Sequence, residues 1–444
     1  MSPEVLSLIG ILLGLVVLIG LAYKNWPILI VAPIAVVVVA VFSGVNPFTT
    51  LTSTYMEKFV VFAKNYFLIL FFGAVFGKLM GECGAARTIA IKVSKLVRKF
   101  PGKEKPMAVI SLIMICAILT YGGVSSFVVV FTLVAIAKDL FQELDIPWHM
   151  YTCSVAGSGL WTMTMLPGTP SVQNQVPITY LGTTAMAAPA LSMFAVAVSA
   201  VMVFGYVFWM CARCTRRGEH FEPSGTEILK VQLGEDLSSD HLPNLFLCLL
   251  PCIILFVVMN FLNQGAVVGL IAGCVSCIVI FHKKFNIVKL KSCIGAGGTN
   301  ATSAVMAACA ASGFGGVVAT VSGYTMVLNS LASIPGPEIF QLIVAVNVAA
   351  GITGSASSGL NIAFASLTDR FLASGLNPEI IHRMACISSG GLDTLPHCST
   401  VVNTLNVTKL TYAQGYKHYG VMTVIIPLIT VVICGVFVGI GVFT

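Results

Sequence analysis

The sequence predicts an all-α polytopic membrane protein made of two inverted-topology repeats, each with a re-entrant hairpin and a broken transmembrane helix. Three observations carry that expectation. Of 444 residues, 57% are hydrophobic and only 9% charged, where a soluble domain carries about 25% charged residues. Mean hydropathy is +0.95, and apolar runs of membrane-spanning length recur along the chain. Interruptions inside those runs recur in both halves at nearly one spacing. Such a chain cannot cover its surface with polar groups in water, which excludes soluble enzymes and disordered or fibrous classes.

A hydrocarbon core of about 30 Å takes roughly 20 apolar residues as helix. The expected spans are Leu6–Tyr23, Trp26–Phe42, Tyr66–Gly81, Trp148–Leu166, Ala187–Cys211, Leu242–Leu262, Ala266–Phe281, Ser303–Leu328, Pro378–Leu395 and Val421–Phe443. Stretches 107–140 and 338–369 are long and carry Gly/Ser clusters near their middles, so they read as re-entrant hairpins. The first residues, MSPEV, lack a basic n-region, so the first span reads as a retained helix.

Orientation follows from the basic residues. With the N-terminus outside and both hairpins re-entrant, 20 of the 24 Lys and Arg residues fall on the cytoplasmic side; Lys58, Lys64, Arg370 and Arg383 do not. That bias is the positive-inside rule acting on short loops. It also accounts for the net charge of +7 without nucleic acid, since no basic patch is interleaved with aromatics. Both termini are expected outside, in a bacterial inner membrane.

The same topology exposes a repeat. In the first half, residues 1–214, three spans precede the hairpin tip Gly122-Gly123-Val124-Ser125-Ser126. A span broken near 167–174 follows, and then one helix. In the second half, residues 242–444, three spans precede the tip Gly354-Ser355-Ala356-Ser357-Ser358. A span broken near 392–399 and a last helix complete it. Gly122 and Gly354 are 232 residues apart, and Pro167 and Pro396 are 229 apart. The polar segment 215–241 is the expected cytoplasmic linker. Inverted repeats with interrupted helices belong to secondary transporters, which bind substrate where the interruptions meet.

Non-helical backbone at membrane depth is tolerated only inside protein or against a wet cavity, so the four interruptions predict one cavity. Its candidate substrate-binding residues are Gly122, Gly123, Ser125, Ser126, Gly168, Thr169, Ser171, Gln173 and Asn174 in the first half. In the second they are Gly354, Ser355, Ser357, Ser358, Asn361, Thr394, Ser399 and Asn403. Half-helix N-termini add N–H donors and a positive dipole end suited to a carboxylate. No basic residue lies in either tip or break, so dipoles and hydroxyls would hold the anion. Asp393 and His397, four residues apart in the second break, are candidates for proton or ion coupling. Elsewhere, small residues such as Ser303, Ser312 and the Gly73, Gly77, Gly81 steps read as helix-packing faces. Lys78 and Glu82 read as interfacial contacts, and Glu338 and Asp369 as solvated or capping groups.

The 14 cysteines are scattered through apolar runs and read as small apolar side chains, including the pairs Cys211/Cys214 and Cys274/Cys277. No cofactor or metal is expected. Competing classes are an intramembrane serine enzyme using Ser312 with His382, His397 or His418, a channel, and a cation/proton antiporter. The enzyme fares worst, because repeated small residues explain Ala310-Ala311-Ser312-Gly313 as packing. Two symmetric hairpins favour alternating access over a continuous pore. An antiporter should want a buried carboxylate pair, and only Asp393 lies inside a break.

The segment FFGAVFGKLMGECGAARTIA (Phe71–Ala90) resembles the third-span signature of the gluconate permease (GntP) family, a Gly-rich run ending in a Lys-Leu…Glu-x-Gly-x-Ala pattern. Gly122-Gly123 and the GSASSG tip stand where that family has its GG and TGSAT-like segments. The resemblance implies the ion transporter superfamily fold, proton-coupled uptake of gluconate or related hydroxy and short-chain carboxylates, and a homodimer. The breaks, LPGTPSVQN and LDTLPHCSTVVN, depart from the gluconate-type pattern. They look more similar to the branch associated with acids such as 3-hydroxybutyrate. Coupling to Na⁺ stays open, since unwound carbonyls with Ser, Thr and Asn oxygens also hold that ion.

Overall fold

The computed structural model describes residues 2–121, 126–169, 171–231, 243–260, 262, 264, 266–331, 336–373 and 375–443. Among the described residues there are helices and no strands. Helix α1 (Pro3–Tyr23) starts at Ser2, whose hydroxyl accepts from the Val5 amide, with Pro at the first turn. It packs along α2 (Ile28–Phe42). Asn46 caps α3 (Pro47–Glu82), again with Pro next. An Asn or Ser cap followed by Pro is a strong start signal, because the cap fills an orphan N–H and Pro has none to lose. The capping signal starts α3 some 19 residues earlier than hydropathy alone does. At 36 residues and about 1.5 Å each, α3 is far longer than a bilayer core is thick.

Gly84, at φ +80°, turns the chain from α3 into the amphipathic α4 (Ala85–Val97). Helices α5 (Glu104–Tyr121) and α6 (Ser126–Glu143) run back to back. At their far ends the Lys105 ammonium donates to the Asp145 carbonyl at 2.6 Å. Helix α7 (Tyr151–Gly159) continues as π-helix over Leu160–Met165. After the first break come α8 (Val172–Leu181) and α9 (Pro189–Arg216).

The second half opens with α10 (Leu245–Asn260), α11 (Ala266–Ile280) and α12 (Ile287–Val318). The expected span Ser303–Leu328 is two helices. Helix α12 ends at Val318, and α13 (Ser322–Leu331) starts after a turn at Ala319–Val321. The amide of Gly323 in α13 donates to the Ser7 hydroxyl of α1 at 3.0 Å. Then follow α14 (Glu338–Thr353), α15 (Ala356–Ala373) and α16 (Pro378–Ser389). The second break, α17 (Ser399–Thr408) and α18 (Tyr412–Gly439) complete the chain. Among the described residues five helices, α1, α3, α5, α9 and α18, are individually long and apolar enough to cross a membrane. The protein is therefore a multi-pass membrane protein.

Packing crosses between the halves. Helices α3 and α12 lie against each other; α3 also packs on α11, and α12 on α2. Likewise α1 packs on α13 and α10 on α4, while α8 packs on α15 and α17 on α6. Small residues allow the central contact. A Cβ added at Gly297 would stand 2.9 Å from the Val75 Cα, so the α3 and α12 backbones touch. Gly73 and Gly77 are buried on the α3 side. Lipid offers little hydrophobic drive between helices, so close backbone approach supplies the dispersion energy.

Lys78 and Glu82 are not at an exposed interface. They form a 2.7 Å pair with side chains 4% and 10% exposed, and Lys289 of α12 reaches the other Glu82 oxygen at 3.5 Å. The long α12 lies over them. Glu338 and Asp369 are exposed, as expected of solvated groups. Removing one member of a buried ion pair strands the other and typically costs about 3–5 kcal/mol, while apolar replacement of both is often neutral. Glu82→Ala should therefore lower unfolding stability in detergent by about that amount. The double variant Lys78→Met/Glu82→Leu should recover most of it, leaving Lys289 to reach solvent. Equal melting of wild type and Glu82→Ala would show that the pair stabilises nothing.

Candidate functional site

Each break sits where one half meets the other. In the first, α7 ends in a π turn, a distortion frequent at functional sites. The chain then leaves helical geometry at Leu166 and re-enters it at Ser171. Gly168 adopts φ +73°, and its amide donates to the Ala185 carbonyl at 2.8 Å. Ser171 caps α8, accepting from the Asn174 amide, and donates back to the Met163 carbonyl at 2.8 Å. Thr169 and Ser171 hydroxyls lie 3.0 Å apart. The Asn174 amide nitrogen donates to the Thr169 and Ala185 carbonyls, at 2.9 and 3.0 Å.

With its nitrogen so used, Asn174 presents Oδ1 to Nε2 of His382, 3.0 Å away. That nitrogen must carry the hydrogen, so Nδ1 is left to accept from the Thr183 hydroxyl at 2.7 Å. One residue on, the fully buried Arg383 donates to the carbonyls of Ala187, Ala185 and Leu166 at 3.2, 3.2 and 3.5 Å. Cys386 donates to the Gln173 carbonyl at 3.2 Å. Residues 379, 382, 383 and 386 share one face of α16 by helical spacing. That face closes the first break from the other half of the chain.

The second break is built differently. His397 packs under the second hairpin tip: a Cβ on Gly354, which adopts φ +63°, would stand 2.8 Å from the His397 ring. Gly351 likewise faces Leu392, and Gly390 faces Thr164 of the π turn. The Thr394 hydroxyl donates to that of Thr423 at 2.7 Å, and Tyr416 and Tyr412 donate to the carbonyls of Thr394 and Pro396. Inside this shell the polar side chains lack partners. Both ring nitrogens of His397, both amide atoms of Asn403 and Oδ1 of Asp393 are buried without a hydrogen bond of normal geometry, the His397 ring lying beside the Gly351 and Ile352 main chain. Asn347 Oδ1, pressed against Gly391, and Gln173 Oε1 are in the same state. These seven are the majority of the eleven such atoms among the described residues, so the deficit is concentrated at the breaks.

The expected residues thus divide. Gly168, Thr169, Ser171, Gln173 and Asn174 come together at the first break, and Gly354, Thr394, Asp393, His397 and Asn403 at the second. Ser355 lies 3.3 Å from Ser357 and accepts from the Ser358 amide. Ser399 opens α17. Asn361 is exposed and donates to the Ser357 carbonyl, while the Tyr180 hydroxyl of α8 donates to the Asn361 carbonyl. Gly122, Gly123 and Ser125 lie outside the described residues, and Ser126 is the first residue of α6. Sequence reasoning noted His382 only as a possible enzyme base and Arg383 only as a charge off the cytoplasmic side, and assigned neither to the breaks. The available signal was an ionisable pair five residues into a span.

A relative from Bacillus subtilis (strain 168), bearing the name uncharacterized transporter YxjC, is 30% identical over 465 aligned positions, covering 95% of this chain and 96% of the relative. No protein-family model matches the chain. The chain belongs to the transporter family of that relative.

Three carbonyls from separate positions need the forked guanidinium, because a lysine ammonium reaches from a single point. Arg383→Lys should therefore strand at least one buried carbonyl and cost about 1–3 kcal/mol, with Arg383→Ala costing more. Thermal unfolding in detergent measures both. Arg370→Lys, at an exposed position, is the matched control and should be near neutral. Indistinguishable Arg383→Lys and Arg370→Lys would refute the bracing role.

Proposed function

We propose that this transporter is a secondary active carrier of a small carboxylate, taken up with a proton by alternating access between two inverted repeats. The observation that carries the reading is the set of buried, partnerless polar atoms on Asp393, His397, Asn403, Asn347 and Gln173. A buried amide or imidazole without a partner costs about 1–3 kcal/mol, and such groups call for an explanation. A polar ligand that completes their hydrogen bonds supplies one. Asn403 and His397 donate to a carboxylate or hydroxyl, Gln173 and Asn347 accept from a hydroxyl, and Asp393 takes the coupled proton. The hydroxyls of Thr169, Ser171, Ser355, Ser357, Ser358, Thr394 and Ser399 rim the site.

The inverted repeat is supported by element order and by reciprocal packing. α3 lies on α11 as α12 lies on α2, and α8 lies on α15 as α17 lies on α6. Hairpin–break pairs are the moving parts in this reading, and α3 with α12 the scaffold. The resemblance to the gluconate permease family favours hydroxy acids. Short side chains and an apolar surround favour one such as 3-hydroxybutyrate over a polyol acid. Positive-inside bias puts both termini outside the cytoplasmic membrane. One observation favours a second reading, Na⁺ coupling: several of the partnerless atoms are oxygens, on Asp393, Asn347, Asn403 and Gln173.

Uptake of labelled 3-hydroxybutyrate into proteoliposomes, with gluconate as competitor, tests the proposal. An imposed pH gradient alone should drive uptake, and Asn403→Ala and Asp393→Asn should each lower it about tenfold or more, equivalent to roughly 1.4 kcal/mol, with normal membrane insertion. Uptake that needs a sodium gradient would shift the coupling to Na⁺. Wild-type uptake in both variants would remove the second break from the site.

A further inference from the structure

A second cluster of chemically versatile side chains lies at the other end of α7, away from the breaks. Helix α9 stops at Arg216, and the chain reverses through Gly218 at φ +63°. The Glu219 amide donates to the Cys214 carbonyl at 3.0 Å and the Gly218 amide to that of Thr215 at 3.2 Å. This bond pair defines a Schellman turn, whose left-handed residue is best made by glycine. It folds Glu219 back over Cys214, so a spacing of five residues becomes a side-chain contact.

The following segment is tied down. Asp145, just before α7, accepts from the Phe221 amide at 3.0 Å and sits 2.6 Å from the His220 ring. Burial pushes the Asp145 carboxyl up, but those hydrogen bonds and the Lys105 charge outweigh it and hold the group below its ordinary range. Ser224 accepts from the His149 amide at 3.3 Å. These contacts deliver the His149 ring to the turn, with Nε2 3.1 Å from Glu219. The ligand-type atoms of His149, Cys214 and Glu219 all lie within 4.8 Å of one another. His149 is 7% and Cys214 2% exposed. The ring stacks on His418 at 4.7 Å and 9°. Nδ1 of His149 and Nε2 of His418 are both buried without partners.

We propose that His149, Cys214 and Glu219 bind a borderline-soft divalent cation of the zinc class, with Nε2, Sγ and a carboxylate oxygen as ligands. Zinc takes such N, S and O donors at about 2.0–2.3 Å with near-tetrahedral angles, placing ligand atoms roughly 3–4 Å apart. The ligand atoms, within 4.8 Å of one another, stand close to that size already. Binding releases the Cys214 thiol proton to solvent, and the neutral His149 ring shifts its proton from Nε2 to Nδ1 so that the Nε2 lone pair can coordinate. The thiolate and carboxylate then neutralise the cation. Magnesium and calcium, which take several oxygen ligands, do not suit one oxygen with a sulfur and an imidazole. His149 Nδ1 has no second partner to orient the ring, a lack that typically weakens affinity by about 10–100-fold. A site that exchanges its metal, rather than a permanent structural one, follows. An occupied site would pin the end of α9 to the start of α7, and the stacked His418 would extend that hold to α18.

The test is titration of the purified full-length protein, stripped of metal, with Co²⁺. Thiolate-to-cobalt charge-transfer absorption reports sulfur coordination. One equivalent should bind and be displaced by Zn²⁺. Cys214→Ser should abolish the absorption, and Glu219→Gln, which keeps the side-chain shape, should weaken binding about tenfold or more. Because other cysteines are present, Cys211→Ser is the control and should leave the titration unchanged. No absorption in the wild-type protein, or absorption undiminished in both Cys214→Ser and Glu219→Gln, overturns the site.

Discussion

Main-chain N–H and C=O groups find no water at membrane depth, and the rest of this structure depends on that constraint. Helices satisfy it by themselves, so a helix can be broken only where other groups take over the freed donors and acceptors. At the first break the takeover is nearly complete. Asn174 donates to two carbonyls, Ser171 to a third, and Arg383 to carbonyls at Leu166, Ala185 and Ala187. The bracing groups come from α8 and α16, which belong to different halves of the chain. A break held this way is inseparable from the interface that holds it.

The same constraint explains the use of charge. Arg383 is buried with main-chain carbonyls as its hydrogen-bond acceptors, an arrangement that costs too much for an idle residue. Three carbonyl oxygens, each carrying a partial negative charge, offset the desolvation of one delocalised guanidinium. Lys78, Glu82 and Lys289 solve the problem by mutual neutralisation at the α3–α12 contact. Glycine does the remaining work there. Gly297 brings backbone to backbone, and the Lys58 stem lies along Gly316, so an amphipathic side chain covers the groove that a missing Cβ leaves.

The spans were legible because hydropathy is a sum over many residues and survives local detail. Boundaries were less so. Asn46-Pro47 starts α3 by capping, a signal that hydropathy ignores, and the turn at Ala319–Val321 contains no Gly or Pro to mark it. Both breaks were visible from Pro and Gly placed inside apolar runs. Their partners were not. His382 and Arg383 stand more than 200 residues from Asn174, and which carbonyls an arginine meets is decided by how α16 is rotated against α8. One sequence holds that information only through the whole packing. The hairpin tip at Gly122, Gly123 and Ser125 lies outside the described residues, so the match between the two tips rests on spacing.

The two breaks start from one pattern, Leu-Pro followed by Asn seven residues after the Pro, at Leu166-Pro167…Asn174 and Leu395-Pro396…Asn403. They differ at the position after Pro. Gly168 takes a left-handed turn and closes its amide on Ala185, which draws Asn174 into the same carbonyls. His397 stands at the matching place without a left-handed backbone, and its ring occupies the space under Gly354. Asn403 is then left with both amide atoms unmet. That change, with those from Thr169 to Cys398, Ser171 to Thr400 and Gln173 to Val402, accompanies the difference between a break that the protein nearly satisfies and one that it does not. On the proposed reading the division is functional: the braced break supplies a rigid wall, and the unmet groups of the other are free to exchange partners as a ligand arrives and leaves. A carrier needs that asymmetry of stiffness, because a site satisfied by protein on both sides gains nothing from its substrate.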